Sequence, residues 1–273
     1  MLLRFACPYC KKELIDLKCF SCLFIGKLED EIYHLHRSDS SWDICIDQIL
    51  KLDYAKKAED EKTRAGQRYF TSHPYAVANS QGSDDRIQEA INFIKPKDKI
   101  ILDVGGSSGI NSYKLVKHGV GVIINLDFNL EKLNESKLML LNKEQYFMVF
   151  GDNYHIPFVG NFFDVVFDSA VIHHMVDRVT YLKEVYRVLK FGGLFYFFGS
   201  PPSPTKERLE DLKRHEKWWM QTYGTFETAW GVDECNEAFN ATFSKLPNIT
   251  HFTYKAPDGY VTGFDAVVWC IKG

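Results

Sequence analysis

The sequence predicts an α/β fold built on a mostly parallel sheet, and three observations predict it. Short apolar runs recur at Ile100 to Val104, Val120 to Leu126, Tyr146 to Phe150 and Phe162 to Ser169. Runs of that length suit strands buried on both faces. Stretches with helical spacing lie between them, such as Ile110 to Lys117, with Ile110, Tyr113 and Val116 apolar. The first run also ends in a glycine-rich turn, Asp103-Val104-Gly105-Gly106-Ser107-Ser108-Gly109, that joins strand to helix. Strands that alternate with helices in this way build parallel sheets.

The chain opens on cysteines. Cys7-Pro8-Tyr9-Cys10 and Cys19-Phe20-Ser21-Cys22 are two Cys-x2-Cys knuckles separated by eight residues. Each knuckle can turn two thiolates toward one metal, and four thiolates make a closed tetrahedral site, so zinc held there is structural. Neither pair lies in a βαβ context, which argues against redox chemistry. Arg4, Lys11, Lys12, Lys18 and Lys27 are offset by Glu29, Asp30 and Glu31. That mixture suits contact with protein, or packing on the same chain, at least as well as nucleic acid. Cys45, Cys235 and Cys270 stand alone.

Residues 1–35 therefore form a small zinc-ribbon-like module and 36–82 a helical linker or lid. Trp42 to Ala58 has helical apolar spacing, Lys56 to Arg64 is charge-dense, and Tyr69-Phe70-Thr71-Ser72-His73-Pro74-Tyr75 breaks the pattern with aromatics. The main domain is 83–273, with Ser83 as N-cap of a helix from Asp84 to Ile94. Val179 to Lys190 and Thr205 to Tyr223 read as helices, and Thr250 to Tyr254 and Gly263 to Ile271 as closing antiparallel strands.

The glycine turn carries the chemistry. Glycines let backbone approach a ligand, and the following helix presents unsatisfied N–H groups to it. A dinucleotide fingerprint would need glycine at three positions, which here are Gly105, Ser107 and Ile110. The carboxylate of Asp103 at the strand end would repel a pyrophosphate and favours a ligand with positive charge. If residue 107 needs positive φ, serine is costly there.

This segment resembles the first motif of the class I S-adenosylmethionine (SAM)-dependent methyltransferases, Asp-x-Gly-x-Gly-x-Gly, with Ser107 replacing the middle glycine. The resemblance continues in order through Asp127 after the second run, Gly151-Asp152-Asn153, Ala170-Val171-Ile172-His173-His174-Met175, and Lys190-Phe191-Gly192-Gly193-Leu194. It implies a Rossmann-like, seven-stranded, mostly parallel sheet with an antiparallel last strand. It implies SAM as cofactor, held by Asp103, Gly105, Gly106, Ser107, Gly109, Asp127, Phe128, Asp152, Asn153 and Ser169. Asp127 falls where the family binds the ribose hydroxyls, and Asp152 where it binds adenine. His155 then belongs to the loop around adenine.

Methyl transfer from a sulfonium is an in-line displacement that needs alignment and exclusion of water more than acid–base chemistry. Where the acceptor needs a base, His174, with His173 beside it, is the candidate. Tyr69, His73 and Tyr75 are placed as lid or substrate contacts, and Trp218 and Trp230 as substrate contacts in an insertion at 205–247. Aromatic content alone fits core packing as well. The acceptor expected is a small molecule. One alternative is RNA docked by the ribbon, because residues 1–35 resemble modules fused ahead of some bacterial methyltransferases, including a group acting on ribosomal RNA guanine. Another is a non-catalytic binding or assembly protein of the same fold.

Composition agrees with an enzyme that advertises no polyanionic partner. The net charge is −3, the sequence pI is about 6.3, and 45% of the 273 residues are apolar. Broad electropositive surface for nucleic acid is not indicated. No apolar run is long enough to span a bilayer, and Met1-Leu2-Leu3-Arg4-Phe5-Ala6 is too short for a signal-peptide core. A cytoplasmic location without membrane contact is expected.

Overall fold

A computed structural model describes residues 3–37, 85–140, 144–199, 202–223, 228–255 and 261–273. The expected Trp42–Ala58 helix, with Tyr69, His73 and Tyr75, lies outside the described residues, as does the side chain of Trp218.

Nine strands form one sheet in the order β1-β2-β5-β4-β3-β6-β7-β9-β8. They are β1 (Lys27–Glu29), β2 (Ile32–His34), β3 (Ile100–Val104), β4 (Val122–Asp127), β5 (Tyr146–Phe150), β6 (Phe163–Ser169), β7 (Leu189–Phe198), β8 (Asn248–Lys255) and β9 (Val261–Ile271). Strands β3 to β7 pair in parallel, and β9 runs antiparallel to both β7 and β8. Six helices complete the described fold: α1 (Asp85–Ile94), α2 (Ile110–Lys117), α3 (Leu130–Leu140), α4 (Arg178–Val188), α5 (Lys206–Tyr223) and α6 (Val232–Phe243).

Alternation along the strands explains why both faces are covered. Leu102, Val104, Ile124 and Leu126 pack in one core with Tyr181, Val185 and Phe239 of α4 and α6. Ile101, Ile123 and Val165 pack in the other with Ile87, Ile91, Tyr113 and Leu133 of α1, α2 and α3. Strand order reverses at β3, whose neighbours are β4 on one side and β6 on the other. At such a switch point the connections leave in opposite directions and open a crevice at the carboxyl ends of the strands.

The expected seven strands become nine because the cysteine-rich module joins the sheet. β2 pairs in parallel with β5, Ile32 opposite Met148 and His34 opposite Phe150, and the Leu35 amide donates to the Phe150 carbonyl at 2.9 Å. An open β5 edge would leave unpaired backbone groups exposed to other chains, and β2 covers it. Phe5, Ala6, Cys7, Leu14, Cys19 and Leu35 belong to the same core as β3 and β4. The Phe5 ring lies 5.1 Å from that of Phe158. Lys11 meets Glu184 at 2.8 Å, and Arg187, which also grips Glu184, donates to the carbonyls of Ile156 and Phe158 at 2.7 Å.

Two further differences have local causes. The expected helix to Lys190 ends at Val188, because Leu189 already pairs with Phe163 in β7. Gly192, at φ +75°, then takes the turn before pairing resumes at Leu194. Trp230, expected beside substrate, is 1% exposed and packs 5.9 Å from Phe197, with Phe239 and Phe243 stacked on Phe195. Its aromatic surface fills the core between the insertion and β7.

Candidate functional site

The turn between β3 and α2 is shaped by close approach. Gly105, at φ +59°, donates its amide to the Leu126 carbonyl at 2.7 Å, and a Cβ there would meet Val171 Cγ2 at 2.5 Å. A Cβ on Gly106 would meet Asn125 Oδ1 at 2.5 Å and Asp103 Oδ2 at 2.8 Å. Gly109, at φ +76°, caps α2. Ser107 has φ +50°, the left-handed conformation that the sequence marked as costly. An L-residue spends about 1–2 kcal/mol to stand there. Its amide donates to Asp127 Oδ2 at 2.8 Å, and its carbonyl accepts from Asn125 Nδ2 at 3.0 Å.

Three carboxyl groups end adjacent strands beneath this turn. Asp103 is fully buried and its pKa is raised to about 7, first by burial and then by the charges of Asp127 and Asp168, against a hydrogen bond from Ser112 Oγ at 2.6 Å. Its Oδ1 has no hydrogen-bond partner among the described residues. Burial lifts Asp127 to about 6 despite N–H donors from Asn129 and Ser107, and Asp168 to about 7 despite Tyr181 and Val171. Such a group of acids favours a cation in the crevice.

Asp152 follows β5 and caps the 3-10 turn Asn153–His155, its Oδ1 accepting from the Tyr154 amide at 2.8 Å. Asn153 is 3% exposed, and its Oδ1 has no partner among the described residues. His155 Nε2 lies 2.8 Å from Arg37 Nη1, so the cysteine-rich module reaches this loop. Phe128 and Ser169 sit half-buried at the ends of β4 and β6.

His173 and His174 occupy the 3-10 turn Ile172–His174, which packs on the glycine turn through Val171. Their Nε2 atoms are 2.8 Å apart. Burial, then the charges of His174 and Arg178, push His173 down to about 3, so it is neutral. The Gly199 carbonyl accepts from its ring. The two rings share one hydrogen bond between their Nε2 atoms, whose direction follows from the tautomer each ring holds. The turn is held from the insertion, where the Thr228 amide and hydroxyl both donate to the His173 carbonyl, at 2.8 and 2.9 Å. Arg178 donates to the Thr228 carbonyl at 2.7 Å and lies 4.8 Å over Trp230.

In the N-terminal module the Sγ atoms of Cys7, Cys10, Cys19 and Cys22 all lie within 4.8 Å of one another. The knuckles are built alike. Lys11 N donates to Cys7 O at 2.9 Å and Leu23 N to Cys19 O at 3.0 Å, with Lys11 at φ +63° and Leu23 at φ +61°. Four converging thiols and no carboxylate are the donor set of a structural zinc site.

Sequence reasoning missed Asn125, Thr228 and Arg178. Asn125 had a signal, a lone amide inside the apolar run Val122-Ile123-Ile124-Asn125-Leu126. Thr228 and Arg178 had none, because they meet only through the fold.

Residues 102–197 match the family described as methyltransferase domain. Malonyl-[acyl-carrier protein] O-methyltransferase 1 of Coxiella burnetii is 29% identical over 126 residues, covering 45% of this chain and 41% of that protein. Demethylmenaquinone methyltransferase of Staphylococcus saprophyticus is 26% identical over 163 residues, covering 54% of this chain and 70% of that protein. A tRNA U34 carboxymethyltransferase of Helicobacter acinonychis is 32% identical over 104 residues, covering 36% and 38%. The chain thus spans less than half the length of the Coxiella and Helicobacter relatives. Among solved structures, the YcgJ protein of Bacillus subtilis superposes with TM-score 0.55 at 16% identity, over 69% of this chain and 98% of that one. A Bacillus halodurans chain described as a candidate methyltransferase gives 0.54 at 16%, over 68% and 96%. Those two likenesses concern the fold. The strand order and the matched segment 102–197 together give this chain the α/β fold of a methyltransferase domain. Among the described residues, no helix is long and apolar enough to cross a membrane.

Proposed function

We propose that the chain transfers the methyl group of SAM to a small-molecule acceptor, releasing S-adenosylhomocysteine (SAH), and that its four cysteines hold a structural zinc. The observation that carries the first part is the crevice above β3 and β4, where a glycine cradle meets a fully buried Asp103 oxygen that accepts no hydrogen bond from the described residues. A ligand with a positive charge and a nucleoside suits that pairing.

SAM, when bound, supplies a methyl group activated by its sulfonium. Asp103 Oδ1 takes the ligand's cationic end. Asp127, whose oxygens accept the backbone N–H groups of Asn129 and Ser107 at 2.7 and 2.8 Å, takes the ribose hydroxyls with its remaining lone pairs. Gly105, Gly106, Ser107 and Gly109 admit the ligand's backbone contacts, and Asp152 with Asn153 faces adenine. Phe128 and Ser169 flank the same space. His174 is the group that takes a proton from an acceptor that has one to lose, and the neutral His173, 2.8 Å away between Nε2 atoms, positions it.

Small-molecule acceptors are supported by relatives whose names specify a malonyl carrier-protein thioester and demethylmenaquinone. The net charge of −3 and the mixed charge of the cysteine-rich module give RNA less support. The test is SAH formation from SAM in the presence of quinol or acyl-thioester acceptors, read by mass spectrometry, with tRNA and ribosomal RNA in parallel. Turnover with a small acceptor supports the reading. Turnover only with RNA replaces the acceptor class, and SAM binding without turnover on any acceptor favours a binding protein.

A further inference from the structure

We propose that Asn125 is a positioning residue for the cofactor turn, holding Ser107 in the left-handed backbone that glycine adopts freely; this rests on the SAM reading above. Asn125 lies inside β4 with no exposure. A buried amide in a strand costs stability unless its groups are bonded; its oxygen has no partner among the described residues, so the bonds of its nitrogen are its reason for being there. Both Nδ2 hydrogens are used, one on the Ser107 carbonyl at 3.0 Å and one on the Tyr146 hydroxyl at 2.9 Å. That hydroxyl gives its own proton to Ser136 Oγ at 3.0 Å, and Ser136 in turn donates to the Leu133 carbonyl at 2.6 Å. Tyr146 must therefore accept from Asn125, which fixes the amide with its nitrogen toward the turn and its oxygen toward Gly106.

Residues two apart on a strand share a face. Asp127 accordingly stands beside Asn125 and takes the Ser107 amide at 2.8 Å. One strand thus grips both backbone polar groups of one residue, the N–H through Asp127 and the C=O through Asn125. The two grips differ in what else they do. Asp127 also faces the ligand, whereas Asn125 has its nitrogen wholly committed to the protein and its oxygen closed off behind Gly106, 2.5 Å from where a Cβ would stand. Its effect on cofactor binding runs through the conformation of Ser107 alone. A glycine at 107 removes the conformational penalty and with it the need for the grip.

The experiment is a double-mutant cycle on the full chain, read by calorimetric titration with SAH. Asn125→Leu keeps the branched heavy-atom shape, with bulkier ends, and removes the amide; its affinity is expected to fall about tenfold. In the Ser107→Gly background, whatever affinity that variant has by itself, adding Asn125→Leu is expected to change it by less than about threefold. Wild-type affinity in Asn125→Leu, or a loss that persists in the Ser107→Gly background, overturns the proposal. If Asn125→Leu does not fold, Tyr146→Phe frees the amide while keeping it in place, and a two- to fivefold loss that disappears in the Ser107→Gly background is the expected result. Hydrogen exchange at the Ser107 amide decides without ligand: it should quicken about tenfold in Asn125→Leu or Tyr146→Phe, and unchanged exchange overturns the proposal. A wild-type chain that binds no SAH refutes the SAM reading, while the exchange measurement still decides the role of Asn125.

Discussion

Two regions of this molecule gather groups that attract positive charge, and they do so in opposite ways. At the cysteine knuckles four thiols converge within 4.8 Å, closed in by backbone turns. At the carboxyl ends of β3, β4 and β6 three buried acids with raised pKa values lie beneath the glycine turn. Soft thiolates in a closed set suit an ion that stays for the life of the protein. Carboxyl groups that pay for burial, with one oxygen of Asp103 left without a hydrogen bond, suit a cation that comes and goes. On the function proposed above, the first region holds structure together and the second exchanges ligand.

The largest effect expected from breaking that contrast is at the knuckles. Cys7→Ser removes a ligand at a residue whose neighbour, Ala6, is bonded to the Pro157 carbonyl, so loss of metal loosens the contact with the main domain. Metal content should fall to zero and the melting temperature by about 10 °C, the equivalent of roughly 3 kcal/mol in a chain of this size; an unchanged melt would show that the cluster holds no structural metal. Asp127→Ala comes next. It strips the turn of the Ser107 grip and the ribose of its acceptor, and SAH affinity should drop about 100-fold, near 2.7 kcal/mol, by calorimetry. An affinity within threefold of the wild type would refute the ribose assignment.

The acid cluster sets a pH dependence of known sign. Asp103 and Asp168 titrate near 7 and Asp127 near 6 in the ligand-free fold, above the ordinary 3.8. They carry protons in the fold that the unfolded chain has already lost, so the ligand-free protein loses stability as pH rises from about 4 to 7. A bound cation stabilises the ionised form, so SAM affinity rises as pH passes through 6 to 7, and protons are released on binding. Titration in buffers of different ionisation heat should show about one proton released near pH 6.5 and roughly tenfold tighter binding at pH 7.5 than at 5.5. Proton uptake would reverse the assignment. The smallest effect is at the seam between the regions. Lys11→Ala should cost only about 1 kcal/mol by thermal melt, because Glu184 keeps Arg187 as partner; a cost above about 3 kcal/mol would mean that the pair carries the docking by itself.

The same contrast explains what could be read from the sequence. Strands β3 to β6 and the glycine turn were legible because buried parallel strands are continuous apolar runs and because the turn needs glycines at fixed spacing. The knuckles were legible because metal ligation needs its ligands at short local spacing. The merger of the two was not. β1 and β2 are three residues each, Lys27–Glu29 and Ile32–His34, too short to show a period, and their partner β5 lies more than a hundred residues on. Ser107 stood out locally as a departure from glycine, but its supports, Asn125 and Asp127, are 18 and 20 residues away and become visible only when β4 is laid beside β3. Trp230 was less legible for another reason: composition cannot tell an aromatic ring that fills a core from one that meets a ligand, and here the ring packs against Phe197 and Arg178.

The central claim is that the crevice at the switch point is a SAM site shaped by an unusual serine turn. Calorimetric titration of the full chain with SAH tests it most directly. One site per chain with micromolar affinity is the predicted result; no heat of binding up to millimolar SAH, with the chain folded and its cysteines loaded, would contradict it.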